Sequence, residues 1–109
     1  MRDLEISPAQ LKQMLDAKEA FSLIDCRTHE EFGICRIEGA TLIPLHEMQD
    51  AFSDLEVEPE LSVVVYCHHG VRSLNAVHYL RQLGFTRARS LAGGIERWSN
   101  EIDPSVPRY

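Results

Sequence analysis

Lysine is nearly missing from this chain. Of its positive residues only Lys12 and Lys18 are lysines and the other nine are arginines, the side chain suited to paired contact with carboxylates and oxyanions. Basic excess is missing too: the formal net charge of −6 argues against nucleic acid or an anionic membrane surface as the main partner. No apolar run approaches bilayer length and no basic-then-apolar leader opens the sequence, so a cytoplasmic location is expected. Cysteine is scarce. Cys26, Cys35 and Cys67 are odd in number and lack C-x-x-C spacing, which fits neither a disulfide framework nor a zinc site. His68 and His69 are adjacent, with no cysteine at ligand spacing, and read as polar loop residues; no metal or cofactor is expected. Internal repeats, low-complexity tracts and linkers are also absent. What remains is 109 residues with 44% hydrophobic and 26% charged content, the composition of one soluble domain spanning 1–109.

Short apolar strands alternate with helical segments along the chain. Glu5-Ile6 is a candidate edge strand. Ser7 is a good N-cap with Pro8 at the first helical position and Gln10 placed for a capping box, predicting a helix to about Asp16 that buries Leu11, Met14 and Leu15. Phe21 to Asp25 reads as the second strand, ending in Asp25-Cys26-Arg27. A short helix capped by Thr28 follows, then a strand at Thr41–Pro44, a helix near Glu47–Phe52, and an acidic, solvated connection through Glu56, Glu58 and Glu60. Arg89 to Leu91 gives a fifth strand, Gly93-Gly94 a tight turn, and Ile95 to Ser99 a last helix whose Trp98 is assigned to the core. The alternation predicts an α/β fold, a parallel five-stranded sheet with helices on both faces. Sites in such sheets lie beyond the carboxyl ends of the strands, where both Asp25 and Cys67 are placed.

The segment Ser62-Val63-Val64-Val65-Tyr66-Cys67-His68-His69-Gly70-Val71-Arg72-Ser73 carries the most chemistry. The valines and tyrosine form a strand covered on both faces. A six-residue loop, Cys67 to Arg72, leads into a helix from Ser73 to Leu83, with Leu74, Val77, Leu80 and Leu83 at near-helical spacing and Gly84 as its stop. A loop this short turns successive backbone N–H groups inward, and together with the helix N-terminus they make a concave anion site. A cysteine at its rim has a depressed pKa and is a thiolate nucleophile. A free cysteine is more commonly a small buried hydrophobe, but Gly70 and the immediate helix start favour the reactive role.

Three blocks in order resemble a known family. Asp25-Cys26-Arg27, Glu31-Phe32, Ile37-Glu38-Gly39-Ala40 and Ile43-Pro44 are similar to the D-V-R…E-[FY]…G-H-I-x-G-A…I-P block of rhodanese domains. Cys67-His68-His69-Gly70-Val71-Arg72-Ser73 resembles their C-x-x-G-x-R-S active loop, and Leu91-Ala92-Gly93-Gly94-Ile95 with Trp98 their L-x-G-G…W signature. Cys26, Cys35 and Arg36 depart from the usual valine, glycine and histidine. Cys26, ending a strand, is read as a buried valine substitute. Cys35, in a polar loop, is read as the more exposed thiol.

The resemblance implies sulfur transfer through a persulfide on Cys67: the thiolate takes the outer sulfur of a small sulfur-anion donor such as thiosulfate, and a nucleophilic acceptor (cyanide, a thiol or a protein) removes it. The loop amides from His68 through Arg72 and the helix dipole would hold both anions. His68 and His69 are expected at the loop rim facing the donor, supplying cationic charge only in part at neutral pH, so thiosulfate turnover is expected to be real but inefficient. Arg72 is assigned to bracing the loop through Asp25 or Glu31 over binding substrate; Asp25, Arg27, Glu31 and Ser73 are supporting residues. The fold also hosts cysteine phosphatases and arsenate reductases, whose loops carry five residues between Cys and Arg; the four here, His68 to Val71, favour sulfur. Glu101 to Tyr109 resembles the ending of rhodanese domains fused to adenylyltransferases that sulfurate small carrier proteins, so a sulfur-carrier role serving a protein partner is the main alternative.

Overall fold

A computed structural model describes residues 4–53 and 57–109; Glu56 of the acidic connection lies outside them. Five strands, β1 (Glu5–Ile6), β2 (Ser22–Asp25), β3 (Thr41–Leu42), β4 (Val63–Tyr66) and β5 (Ala88–Leu91), form one sheet in the order β1-β5-β4-β2-β3 with every pairing parallel. The expected α/β fold is therefore the observed one. The helices are α1 (Pro8–Asp16), α2 (His29–Ile34), α3 (Met48–Phe52), α4 (Val71–Leu83) and α5 (Gly94–Glu101). None is long and apolar enough to cross a membrane.

Alternation along the strands sends successive side chains to opposite faces, producing two cores. On one face Leu11 and Met14 of α1 and Ile95 and Trp98 of α5 pack on Ile6, Leu23, Val64, Tyr66 and Leu91. On the other, Met48 of α3 and Ala76, Val77 and Leu80 of α4 pack on Ile24, Val63, Val65 and Ala88. β4 is the central strand and all four of its residues are buried, which explains why it is a continuous apolar run.

Capping chemistry sets the helix starts at the site. Both expected caps exist as reciprocal boxes: Ser7 with Gln10 and Thr28 with Glu31. One expectation is corrected. α4 opens at Val71, two residues before the expected Ser73, with Gly70 as its N-cap at φ +107°. Only glycine adopts that backbone without strain, so the turn is completed in four residues and Val71 and Arg72 already lie in the first helical turn.

Candidate active site

Cys67 follows β4 and is buried, at 1% exposure. Its sulfur receives the Gly70 amide at 3.1 Å and the Ser73 amide at 3.4 Å, with the Ser73 hydroxyl at 3.5 Å. Of the expected amide donors, His68 to Arg72, Gly70 is the one seen to bond the sulfur. The second comes from Ser73 because the early helix start turns the amide of its third residue onto the loop. The Cys67 pKa is lowered from 9.0 to about 4: the hydrogen bond from the Cys26 thiol contributes most, burial opposes it, and the Ser73 and Gly70 bonds add to the lowering. The same contact, with burial, pushes the Cys26 thiol far up.

Ser73 is itself held by Ser90 of β5, with the two hydroxyls 2.6 Å apart and both residues fully buried. The Ser73 hydroxyl also donates to the Gly70 carbonyl at 3.2 Å, tying the start of α4 to the loop. Sequence reasoning missed Ser90; the available signal was a serine inside an otherwise buried strand, where an unpaired hydroxyl is costly.

The Gly93-Gly94 turn locks the loop from behind. Ile95 N donates to Cys67 O at 2.9 Å and Glu96 N to His68 O at 3.1 Å. A Cβ on Gly94 would lie 2.3 Å from His68 O and 2.5 Å from Cys67 O. The two backbones approach so closely that only glycine fits.

Around this cradle runs a lattice of paired charges. Arg27 and Asp25 are fully buried and joined fork to fork, Nε to Oδ1 at 2.9 Å and Nη2 to Oδ2 at 2.6 Å. Burial works against the Arg27 charge, but the Asp25 bonds outweigh it and its pKa rises. Arg72 is bidentate on Glu31, at 2.7 and 2.9 Å. Of the two partners expected for Arg72, Glu31 is the one found, because Arg27 occupies Asp25. The Arg72 bonds hold Glu31 well below the usual carboxylate range. Tyr109 stitches the two pairs together: its hydroxyl accepts from Arg27 Nη1 at 2.8 Å and donates to Glu31 Oε2 at 2.7 Å. Burial and Glu31 hold its phenol protonated, with a pKa of about 12 despite the opposing Arg27 bond.

Two further expectations are corrected. His68 does not face outward at the rim. Its ring is stacked between His69 and Tyr109, each 4.0 Å away, while His69 is exposed. Cys35 is not an exposed thiol. It is 6% exposed, packs in the core on the α1 and α5 face, and its carbonyl accepts from Arg27 Nη2 at 2.5 Å. Cys26, by contrast, is buried beside Val63, Val65 and Cys67 as expected of a valine substitute, yet it touches the candidate nucleophile.

Among the described residues, His68, His69 and Glu96 come nearest to a metal-ligand set, with ligand atoms within 4.8 Å of one another. The imidazoles are stacked nearly parallel, which keeps their in-plane lone pairs from converging, and Arg108 already pairs with Glu96.

The site is thus a cysteine seated on inward amides at a strand-to-helix turn, with an arginine five residues on turned away to a glutamate. The Rhodanese-like domain family matches residues 7–101. The chain belongs to the rhodanese-like sulfurtransferase family. It is 36% identical over 102 residues to a sulfurtransferase of Allochromatium vinosum, covering 94% of each chain. It is 34% identical over 104 residues to the probable adenylyltransferase/sulfurtransferase MoeZ of Mycobacterium tuberculosis, covering 95% of this chain and 26% of that protein. The chain thus spans about a quarter of the length of such curated relatives. Among solved structures, the human single-domain sulfurtransferase TSTD1 superposes with a TM-score of 0.77 at 30% identity, covering 90% of this chain and 96% of that one. A rhodanese-related protein of Thermoplasma volcanium gives 0.79 at 30% identity, covering 96% and 98%.

Proposed function

We propose that this rhodanese-like protein is a sulfurtransferase that moves sulfane sulfur from a thiosulfate-like anion to a thiophilic acceptor through a persulfide on Cys67. The observation that carries this is the seat of the Cys67 sulfur: buried, and held by the uncharged amides of Gly70 and Ser73, an arrangement that lowers its pKa. The thiolate attacks the outer sulfur of the donor, the bond to the sulfite sulfur breaks, and sulfite leaves with the electron pair. The resulting persulfide is again an anion, and the amides of Gly70 and Ser73 with the α4 N-terminus are placed to receive its charge. No separate base is required because the proton has already gone.

Gly70, Val71 and Arg72 act by shaping this turn, with Arg72 as a brace on Glu31 and Asp25 and Arg27 as the buried support behind it. His69 is the exposed side chain at the mouth and would meet an anionic donor. His68, committed to its stack, contributes shape. Cytoplasm is the setting assigned, since three unpaired thiols suit a reducing compartment.

A protein acceptor is the second role that an observation favours. Arg108 and Tyr109 carry the tail back across the loop to Glu96, Arg27, Glu31 and His68, and the relatives of this chain include adenylyltransferase/sulfurtransferases. Thiocyanate formation from cyanide and thiosulfate, mercaptopyruvate or a desulfurase with cysteine tests the main proposal. Turnover that is abolished in Cys67→Ser is expected. Turnover retained in that variant, or hydrolysis of phosphate esters that depends on Cys67, would overturn it.

A further inference from the structure

Cys26 and Cys67 stand in a relation that the transfer cycle above does not use. Ile24 and Val65 are register partners across β2 and β4, and the two cysteines follow them by two residues, on the same face of the sheet. The ladder continues to them, with Cys26 N donating to Tyr66 O at 3.0 Å. Neighbouring strands lie about 4.8 Å apart, inside the window of about 4.4–6.8 Å between Cα atoms that a disulfide spans. Both side chains are 1% exposed and share one apolar cluster. Cys35 packs on the opposite face of the sheet.

We propose that Cys26 is a second catalytic thiol, which resolves the Cys67 persulfide by forming a Cys26–Cys67 disulfide and expelling sulfide. The step presupposes sulfur transfer through Cys67. A bond forms from the Cys26 sulfur to the Cys67 Sγ, and the bond from Sγ to the sulfane sulfur breaks. The sulfane sulfur leaves with the electron pair as hydrosulfide and takes the Cys26 proton. It is thereby reduced to sulfide while the Cys26 thiol is oxidised into the disulfide, so no outside oxidant enters. Two equivalents of a small thiol then restore both cysteines. The class of reaction served is reduction of sulfane sulfur to sulfide at the expense of thiols.

Loading sulfur prepares the pair for this step. In the resting site the neighbouring Cys67 and burial push the Cys26 pKa up, which keeps its proton on. Once Sγ carries the sulfane sulfur, the negative charge moves to the outer atom and Sγ becomes the electrophile next to Cys26. The amides of Gly70 and Ser73 lie on the loop side of the sulfur, where the departing anion needs donors.

The test is a single turnover without free thiol: reduced, desalted protein is mixed with thiosulfate, sulfide and sulfite are quantified, and intact mass and linked peptides are read. Wild type should release one equivalent each of sulfite and sulfide and end two hydrogens lighter, with Cys26 and Cys67 peptides joined. Cys26→Ser should release sulfite, keep a gain of one sulfur atom, and yield no sulfide until thiol is added. Cys26→Val, which refills the apolar site, should match it and guards against misfolding of the serine variant. A wild-type persulfide that persists as in the variants, with no sulfide, overturns this step alone. Absence of sulfite and of any sulfur adduct in all three overturns the sulfurtransferase proposal and this step together.

Discussion

Two anionic sites lie side by side at the carboxyl ends of β2 and β4, and they are neutralised in opposite ways. Asp25, after β2, meets a guanidinium fork to fork, and Glu31 beside it meets another, so every charge there is cancelled within the protein. The Cys67 sulfur, after β4, is held by the amides of Gly70 and Ser73 and lies beside the Ser73 hydroxyl. Full ion pairing fixes geometry but ties the anion to one partner. Dipolar donors stabilise charge without competing for it covalently, and they follow the charge when it moves from Sγ to an added sulfur. The first arrangement makes a scaffold; the second is what the proposed persulfide chemistry asks of its nucleophile.

Breaking the scaffold should have the largest effect. Arg27→Ala leaves Asp25 buried and unpaired, and a loss of about 3–5 kcal/mol is expected for such a break; chemical denaturation should show most of the molecules unfolded or a much lower midpoint. Gly94→Ala strikes the contact between the two regions. Its Cβ must push back the carbonyls of Cys67 and His68 while sitting at φ +63°, so about 1–3 kcal/mol should be lost together with turnover. Arg72→Ala should cost about 1–2 kcal/mol, because a charge-assisted pair is removed from a partly exposed site, with donor KM changed less than stability. Unchanged melting with a large rise in KM would instead make Arg72 a substrate ligand.

The reactive centre is sharpened by pH. A folded pKa below the ordinary 9.0 keeps the anion as pH falls, so Cys67 alkylation in Cys26→Val,Cys35→Ser protein should still proceed well below pH 9. In wild type the thiolate should persist until the pH approaches about 4. An alkylation profile with its midpoint near 9 would remove the dipolar cradle from the account.

Much of this was legible before any coordinates. Strand and helix alternation, the capping box at Ser7, the cap at Thr28 and the strand-to-helix turn at Cys67 are local patterns, and local patterns survive in a linear reading. The brace from Arg72 was legible only as a choice between Asp25 and Glu31, since the choice depends on Arg27 taking Asp25 first. The nearness of Cys26 to Cys67 was not legible, because alternation says that β2 exists but not that it neighbours β4; the strand order is a tertiary fact. Cys35 reads as exposed from its polar sequence neighbours, yet the buried Arg27 draws its carbonyl inward. Ser90 and Tyr109 reach the site from 17 residues beyond Ser73 and 78 beyond Glu31, separations at which no spacing rule applies.

The central claim, that the Cys67 thiolate takes sulfane sulfur directly, is tested most directly by the pre-steady-state burst of sulfite after mixing with thiosulfate. A burst stoichiometric with protein, whatever the later fate of the sulfur, and lost in Cys67→Ser is the predicted result. An equal burst from Cys67→Ser would contradict it.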